Sequence, residues 1–175
     1  MKKIKIELLS SRYFIRALTK DDIPLVYRLC KTNPQYYKSH SLSLDEELIV
    51  EDMTLCPPGK SSDDKYYVGY FDGDKRLIAI LDLIDGYPTE DTAYIGFFMT
   101  DANSGGRGIG SGIITELCGF LSKTGFRSIR LAYGKSNPQS GGFWQKNQFK
   151  TVKEVDHAKY GRVIVAERIL TDRSV

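Results

Sequence analysis

Asn103-Ser-Gly-Gly-Arg-Gly-Ile-Gly-Ser-Gly112 sets a glycine-dense segment between two stretches of different periodicity. Ahead of it, Ala93-Tyr-Ile-Gly-Phe-Phe-Met99 is aromatic and β-branched, the composition of a strand. Behind it, Ile113, Ile114, Leu117 and Leu121 recur at helical spacing. The run therefore reads as strand, loop, helix. Glycines let such a loop turn its N–H groups toward a ligand, and the unpaired amides and positive dipole end of the helix favour an anion there. A pyrophosphate fits that cradle, with Gly105, Gly106, Arg107, Gly108, Ile109, Gly110 and Ser111 as its candidate contacts. The alternative is an ordinary surface connection.

What the loop lacks narrows the ligand. A mononucleotide loop needs Gly-Lys-Ser/Thr, whereas Gly110 is followed by Ser111 and Gly112, which excludes a kinase or ATPase of that type. A dinucleotide fingerprint needs an opening strand–helix–strand unit and an acidic residue about 20 positions on. Lys123 and Arg127 occupy that region, and the loop lies past the midpoint of the chain.

Composition bounds the rest. A chain of 175 residues with 41% hydrophobic content suits one domain with a substantial core. The 25 basic and 22 acidic residues are interspersed and leave a net charge of +3, which argues against nucleic acid as the main partner and suits an anionic cofactor. Cys30, Cys56 and Cys118 are odd in number and lack metal-ligand spacing, so a reducing cytoplasmic setting is the simplest reading and no metal site is expected. Met1 to Leu9 alternates Lys and Ile too tightly for a signal-peptide core, and no apolar run is long enough to span a bilayer. A soluble protein with no membrane partner is expected.

The remaining elements follow an α/β order. Tyr13 to Ala17 reads as a strand, and Thr19-Lys-Asp-Asp22 as a capping box opening a helix with Ile23, Val26, Tyr27 and Cys30 on one face. Asn33-Pro34 ends that helix, Pro34 to His40 reads as a short turn, and Ser43-Leu-Asp-Glu46 caps a helix reaching Met53. Cys56 to Asp64 is a loop, and Asp72-Gly73 signals a hairpin between Tyr66–Phe71 and Leu77–Ile84. A strand over Thr92–Thr100 precedes the glycine loop, and a helix from Ile109 to Thr124 follows it, with Gly125 as its left-handed cap. Ser128 to Ala132 reads as a strand, Gln139 to Asn147 as a short helix, and Val152–Val155 with Val163–Leu170 as a terminal hairpin.

Gly105-Gly-Arg-Gly-Ile-Gly110, with Asn137 and Phe143-Trp-Gln-Lys-Asn-Gln-Phe149 downstream, resembles the GCN5-related N-acetyltransferase (GNAT) superfamily from Tyr13 to Leu170. That family's loop is commonly Gln/Arg-x-x-Gly-x-Gly/Ala, and Gly105 departs from it at the first position. The resemblance implies a single acetyltransferase domain over residues 1–175, of α/β (α+β) class, with a mixed, mostly antiparallel central sheet flanked by helices. It implies acetyl-CoA as cofactor, its pantetheine arm lying in a gap between splayed strands against the backbone of Phe98, Met99 and Thr100. Asn137 stands where the family often holds the pantetheine or acetyl region, the alternative being a plain Asn137-Pro138 turn. Phe143 is expected near the thiol and Lys146 near the adenine, although Phe143 suits a core position equally.

The chemistry implied is direct attack of a neutral amine on the thioester, with backbone N–H groups near Met99 polarising the carbonyl. Two positions depart from the family. Tyr94 stands where many members carry a glutamate, and Trp144 where a general-acid tyrosine is usual; Trp144 reads as a packing residue. Tyr133 or water is then the acid, if one is needed. Asp82 shares a strand face with apolar Ile80 and Ile84, which predicts a desolvated carboxylate of raised pKa suited to a base; the alternative is a solvated residue at a sheet edge. His40 and His157 are too isolated to suggest a metal site or a triad.

In this fold the acceptor is usually bound by the first helical region and the loop between central strands. Here these carry Tyr27, Gln35-Tyr-Tyr37 and Asp85-Gly-Tyr-Pro88, an aromatic and acidic set suited to a small cationic amine. Tyr36 and Tyr37 could equally cover the core. Two readings remain besides the enzyme: a CoA-binding sensor or partner module that has lost its catalytic groups, motivated by Tyr94 and Trp144, and a dinucleotide-binding oxidoreductase. Homodimerisation through the terminal strands is common in the resembling family, and that arrangement stays open.

Overall fold

Strand-forming runs of aromatic and β-branched residues recur from Phe14 to Ile169, and the computed structural model, which describes residues 4–171, assembles them into one seven-stranded sheet. Its strands are β1 (Phe14–Ala17), β2 (Lys65–Phe71), β3 (Leu77–Ile84), β4 (Thr92–Thr100), β5 (Ser128–Gly134), β6 (Lys150–His157) and β7 (Gly161–Ile169). Their order is β1-β2-β3-β4-β5-β7-β6. Every pair is antiparallel except β4 and β5, which are joined by the long helix after the glycine loop and run parallel. This is the mixed, mostly antiparallel sheet with flanking helices that the resemblance implies.

The helices are α1 (Ile23–Lys31), α2 (Pro34–Ser39), α3 (Glu46–Thr54), α4 (Ile109–Lys123) and α5 (Pro138–Lys146). Each face of the sheet has its own apolar layer. On one, Ile113, Ile114, Leu117 and Leu121 of α4 pack with Leu81, Leu83, Ile95 and Ile129, and Trp144 of α5 joins them. On the other, Val26 and Leu29 of α1 and Ile49 of α3 cover Tyr67, Ile80, Phe97 and Met99. No helix of the described residues is long and apolar enough to cross a membrane.

Local chemistry accounts for the boundaries. The Thr19 amide donates to the Asp22 carboxylate at 2.8 Å ahead of α1, and Pro24 sits in its first turn, where a missing N–H costs nothing. Two expectations need correction. Pro34–His40 is not a turn: Pro34 restarts a short helix, α2, because proline suits the first helical position. The residue capping α3 is Asp45 and not Ser43; its carboxylate accepts from the Leu48 amide at 2.8 Å. The Asp72-Gly73 signal correctly marks the β2–β3 hairpin. Its left-handed residue, however, is Lys75 (φ 60°), while the Asp72 carboxylate accepts from the amides of Asp74 and Arg76. The part of the Met1–Leu9 expectation that falls on residues 1–3 lies outside the described residues; Ile6–Leu8 forms a single helical turn.

Candidate active site

The parallel pairing of β4 and β5 is short, and its shortness makes the site. Thr92 to Ile95 register against Ser128 to Leu131, after which β4 pairs only with β3 and β5 only with β7. A bulge at the point of divergence helps to turn β4 away: Asp82 pairs with Phe97 and Leu83 with Ile95, leaving Gly96 as the extra residue. Beyond it the strands splay.

Strand alternation settles which backbone groups face the gap. Asp101 N–H donates to the Ile78 carbonyl, so residues 97 and 99 share its ladder side toward β3, while the amides and carbonyls of Phe98 and Thr100 point into the gap. Of the three residues expected to offer backbone, Met99 therefore does not; it uses its amide in the sheet. The Thr100 carbonyl already accepts from Asn33 Nδ2 at 2.9 Å, and Thr32 Oγ1 accepts from the Ala102 amide at 3.0 Å, so the α1–α2 junction clamps the end of β4. Asn33→Leu should lengthen this tether and weaken acetyl-CoA binding severalfold, measured by calorimetry. Unchanged affinity would show the clamp to be irrelevant to the groove.

A cavity of about 330 Å³ follows this edge, bounded by Thr32–Tyr36, Phe98–Thr100 and residues of α5. The glycine loop lies beside it, Gly110 facing Phe143 and Thr100, two of the residues that line the cavity. Gly106 and Gly108 take φ of +78° and +68°, and a Cβ on either would meet nothing within 4 Å. Both thus border open space, as a phosphate cradle requires. Gly108 precedes α4, and the Gly112 amide makes the first return bond to the Gly108 carbonyl, so the amides of Ile109, Gly110 and Ser111 have no helical acceptor. Gly110 is needed for a different reason: a Cβ there would stand 3.1 Å from Phe143. Gly105 and Arg107 lie exposed on the same loop.

α5 walls the gap with aromatic rings. Phe143 stacks on Phe98 with centroids 5.9 Å apart and meets Trp144 edge-on at 4.8 Å. Trp144 is buried against Phe149, the packing role expected of it. Asn137 borders the cavity, but both of its polar atoms are engaged with Ser140 as the cap of α5, so the turn-capping alternative describes its bonds. Lys146 is exposed at the far end of α5.

A second cavity of about 180 Å³ adjoins the first and shares Tyr36, Phe98, Ser140 and Trp144 with it. Its walls carry Tyr94, Tyr133, Tyr160, His40, His157 and Asp52. Burial pushes the Tyr94 phenol up to about 12, so it serves as a hydrogen-bond donor and not as a base near neutrality. Asp82 lies behind Gly96 and is 6% exposed; its Oδ2 accepts from Lys65 Nζ at 2.6 Å, and its Oδ1 has no hydrogen-bond partner among the described residues. Desolvation pushes its pKa up to about 6 against the pull of Lys65.

The structure brings together Tyr94, Tyr133 and Tyr36 around this cavity and places Asp82 beneath its wall. It does not bring in the other acceptor candidates. Tyr37 is buried in the α1–α3 layer, where burial raises its pKa, Tyr27 is exposed on α1, and Asp85 sits beyond β3 with its amide on the Asp64 carbonyl. Asn33, Asp52, His40 and Tyr160 were not among the expected site residues. They reach the site only through tertiary packing, although Asn33 at the break between two helices was a visible cue.

Comparison with known proteins agrees with this geometry. The acetyltransferase (GNAT) family model matches residues 27–149. No curated protein matches. Among solved structures, an acetyltransferase from Thermus thermophilus is 22% identical with a TM-score of 0.74, over 91% of this chain and 97% of that one. A ribosomal L7/L12 N-acetyltransferase solved with coenzyme A is 17% identical with a TM-score of 0.67, over 95% and 98%. The ribosomal-protein-S18-alanine N-acetyltransferase from Escherichia coli is 14% identical with a TM-score of 0.65, over 93% and 98%. These likenesses establish the fold, and the family match over most of the chain establishes the rest: this protein belongs to the GNAT acetyltransferase family, which uses acetyl-CoA.

Proposed function

We propose that this protein is an N-acetyltransferase that moves an acetyl group from acetyl-CoA to the primary amine of a small acceptor by direct attack. The observation that carries this reading is the junction of two cavities across the splayed edge of β4, one with the glycine cradle packed beside its Phe143 and Thr100 walls and the other lined by tyrosines and a carboxylate. The donor supplies an activated thioester. Gly106, Gly108 and the first amides of α4 suit its pyrophosphate, and the gap-facing amides of Phe98 and Thr100 suit the pantetheine and the developing oxyanion. Lys146, exposed at the end of α5, and Arg107, exposed on the loop, are the cations assigned to the donor's phosphates.

The acceptor enters from the second cavity, whose volume is below the roughly 300–1,000 Å³ usual for drug-sized ligands and therefore suits a small amine. Its neutral nitrogen attacks the carbonyl carbon, the C–S bond breaks, and the sulfur leaves as thiolate. The surplus proton passes through water to the buried carboxylate of Asp82, while the phenols of Tyr94 and Tyr133 hydrogen-bond the reacting groups. A thiolate is a tolerable leaving group, so Trp144 in place of an acid does not prevent the reaction. The three free thiols, Cys30, Cys56 and Cys118, support a reducing, cytoplasmic setting.

Thiol release from acetyl-CoA over a panel of small amines tests this reading. Amine-dependent release supports it; release no faster than thioester hydrolysis, with acetyl-CoA still bound, would assign the sensor reading instead. The pH profile adds a second check. Asp82 and Asp52 both have carboxyls pushed up to about 6 by burial. Protonating the acceptor alone gives log kcat/KM a slope of one below the amine's pKa. Protonating the carboxylate pair should steepen that slope as pH falls through about 6, with an apparent pKa belonging to the pair.

A further inference from the structure

Three carboxylates and two ammonium groups converge beside the second cavity. Lys159 Nζ binds Glu51 at 2.6 Å and Lys65 Nζ binds Asp82 at 2.6 Å, so each cation is already engaged. Asp52, which lines the cavity from α3, makes no hydrogen bond or ion pair among the described residues. The group is therefore one cation short. A second buried acceptor atom is also orphaned nearby, Asp82 Oδ1, behind Gly96 of the cavity wall. A partly desolvated carboxylate without a partner is unfavourable, and a cationic ligand relieves it.

The remaining walls suit such a ligand. Tyr36, Tyr94, Tyr133 and Tyr160 present aromatic rings, which favour ammonium groups and alkyl chains. The hairpin between β6 and β7 is held over this side by the Lys159–Glu51 pair and by the edge-on packing of Tyr160 on His40 at 5.6 Å, so the walls are fixed and not merely adjacent. The nucleophile, however, must be neutral when it attacks. A single amine cannot both supply the missing cation to Asp52 and attack the thioester.

Resting on the acetyltransferase reading above, we propose that the acceptor is a small amine carrying a second cationic group, and that Asp52 is the specificity-determining residue that holds this group while the free amine faces the acetyl donor. The cavity is thus divided by function. Asp52 grips the permanent charge at one end, the tyrosines cover the linker, and the edge of β4 at Phe98 receives the reacting nitrogen. With this second cation bound, the charges of Glu51, Asp52 and Asp82 are balanced before the proton is transferred.

The test compares putrescine with n-butylamine, which share a four-carbon linker, in wild type and in Asp52→Asn. Calorimetry on the CoA-saturated protein reads binding, and thiol release from acetyl-CoA reads turnover. Wild type should bind putrescine about 10-fold or more tightly than n-butylamine, and Asp52→Asn should reduce that ratio to near unity, with its melting temperature recorded to confirm folding. If Asp52→Asn does not fold, Asp52→Glu serves instead, and it should retain the preference for putrescine. Equal binding of the two amines by wild type, or a preference that survives in Asp52→Asn, would overturn the inference. Absence of turnover with the binding preference intact would sink the acetyltransferase reading alone, so the two failures are distinguishable.

Discussion

Gly108→Val is expected to lower acetyl-CoA affinity by about 100-fold or more while leaving the protein folded. Gly108 has φ +68° and a hypothetical Cβ there meets nothing within 4 Å, so in the free protein the only cost is the left-handed conformation, about 1–2 kcal/mol. In the complex the same side chain would fill the cradle that the pyrophosphate needs. Losing two charge-assisted hydrogen bonds costs about 3–6 kcal/mol, enough for the stated fall in affinity. Gly119→Val is the control: that glycine lies in the middle of α4, exposed, with nothing within 4 Å of its Cβ, and its substitution should leave affinity unchanged. Comparable loss in both variants would show that α4 stability, and not the cradle, governs binding.

Lys65→Met is expected to destabilise the protein by about 3–5 kcal/mol at pH 7, by chemical denaturation, because it leaves Asp82 buried without a cation. The two side chains are only 4% and 8% exposed, so solvent cannot replace the lost partner. The double variant Lys65→Met/Asp82→Leu removes both charges and should recover most of that loss. The pH dependence has a definite sign. Asp82 in the folded protein has its pKa raised from 3.8 to about 6, so the folded state holds a proton that the unfolded chain releases between those values. Its contribution to stability is therefore greatest below about pH 4 and is lost as pH rises through 6. Removing Lys65 pushes the carboxyl further up, so the loss in Lys65→Met should shrink as pH falls from 7 to 5. A loss independent of pH would mean that packing, and not charge, holds this pair.

Much of the fold and half of the site were legible in the residues. The strand–loop–helix unit at residues 92–123 declared itself because its periodicity changes from two to helical spacing across the glycines. Asp82 was legible for a similar reason: alternation placed it on a face with Ile80 and Ile84, and burial follows from that. The short helix α2 was missed because a proline that ends one helix also starts another, and six residues carry too little pattern to decide between them. Backbone orientation explains the error at Met99. Which carbonyls face a gap depends on pairing phase, and the bulge at Gly96 changes that phase where no local composition marks it.

The acceptor cavity was the least legible part. Asp52, His40, Tyr94, Tyr133 and Tyr160 come from five separate segments, and their meeting depends on how the β6–β7 hairpin folds back over α2 and α3. Tyr36 and Tyr37 illustrate the limit. They are chain neighbours with similar composition around them, yet Tyr36 borders both cavities while Tyr37 packs in the core. Only the direction of each side chain on α2 separates them.

The proposed reaction requires acetyl-CoA to bind along the splayed edge of β4 with its pyrophosphate on the glycine loop. Titrating the 15N-labelled protein with acetyl-CoA while following backbone amide resonances tests it most directly. Saturable binding is expected, with the largest shifts at Gly106 to Ser111 and at Phe98 and Thr100, and little change at Met99. Absence of binding, or shifts confined to other surfaces, would contradict it.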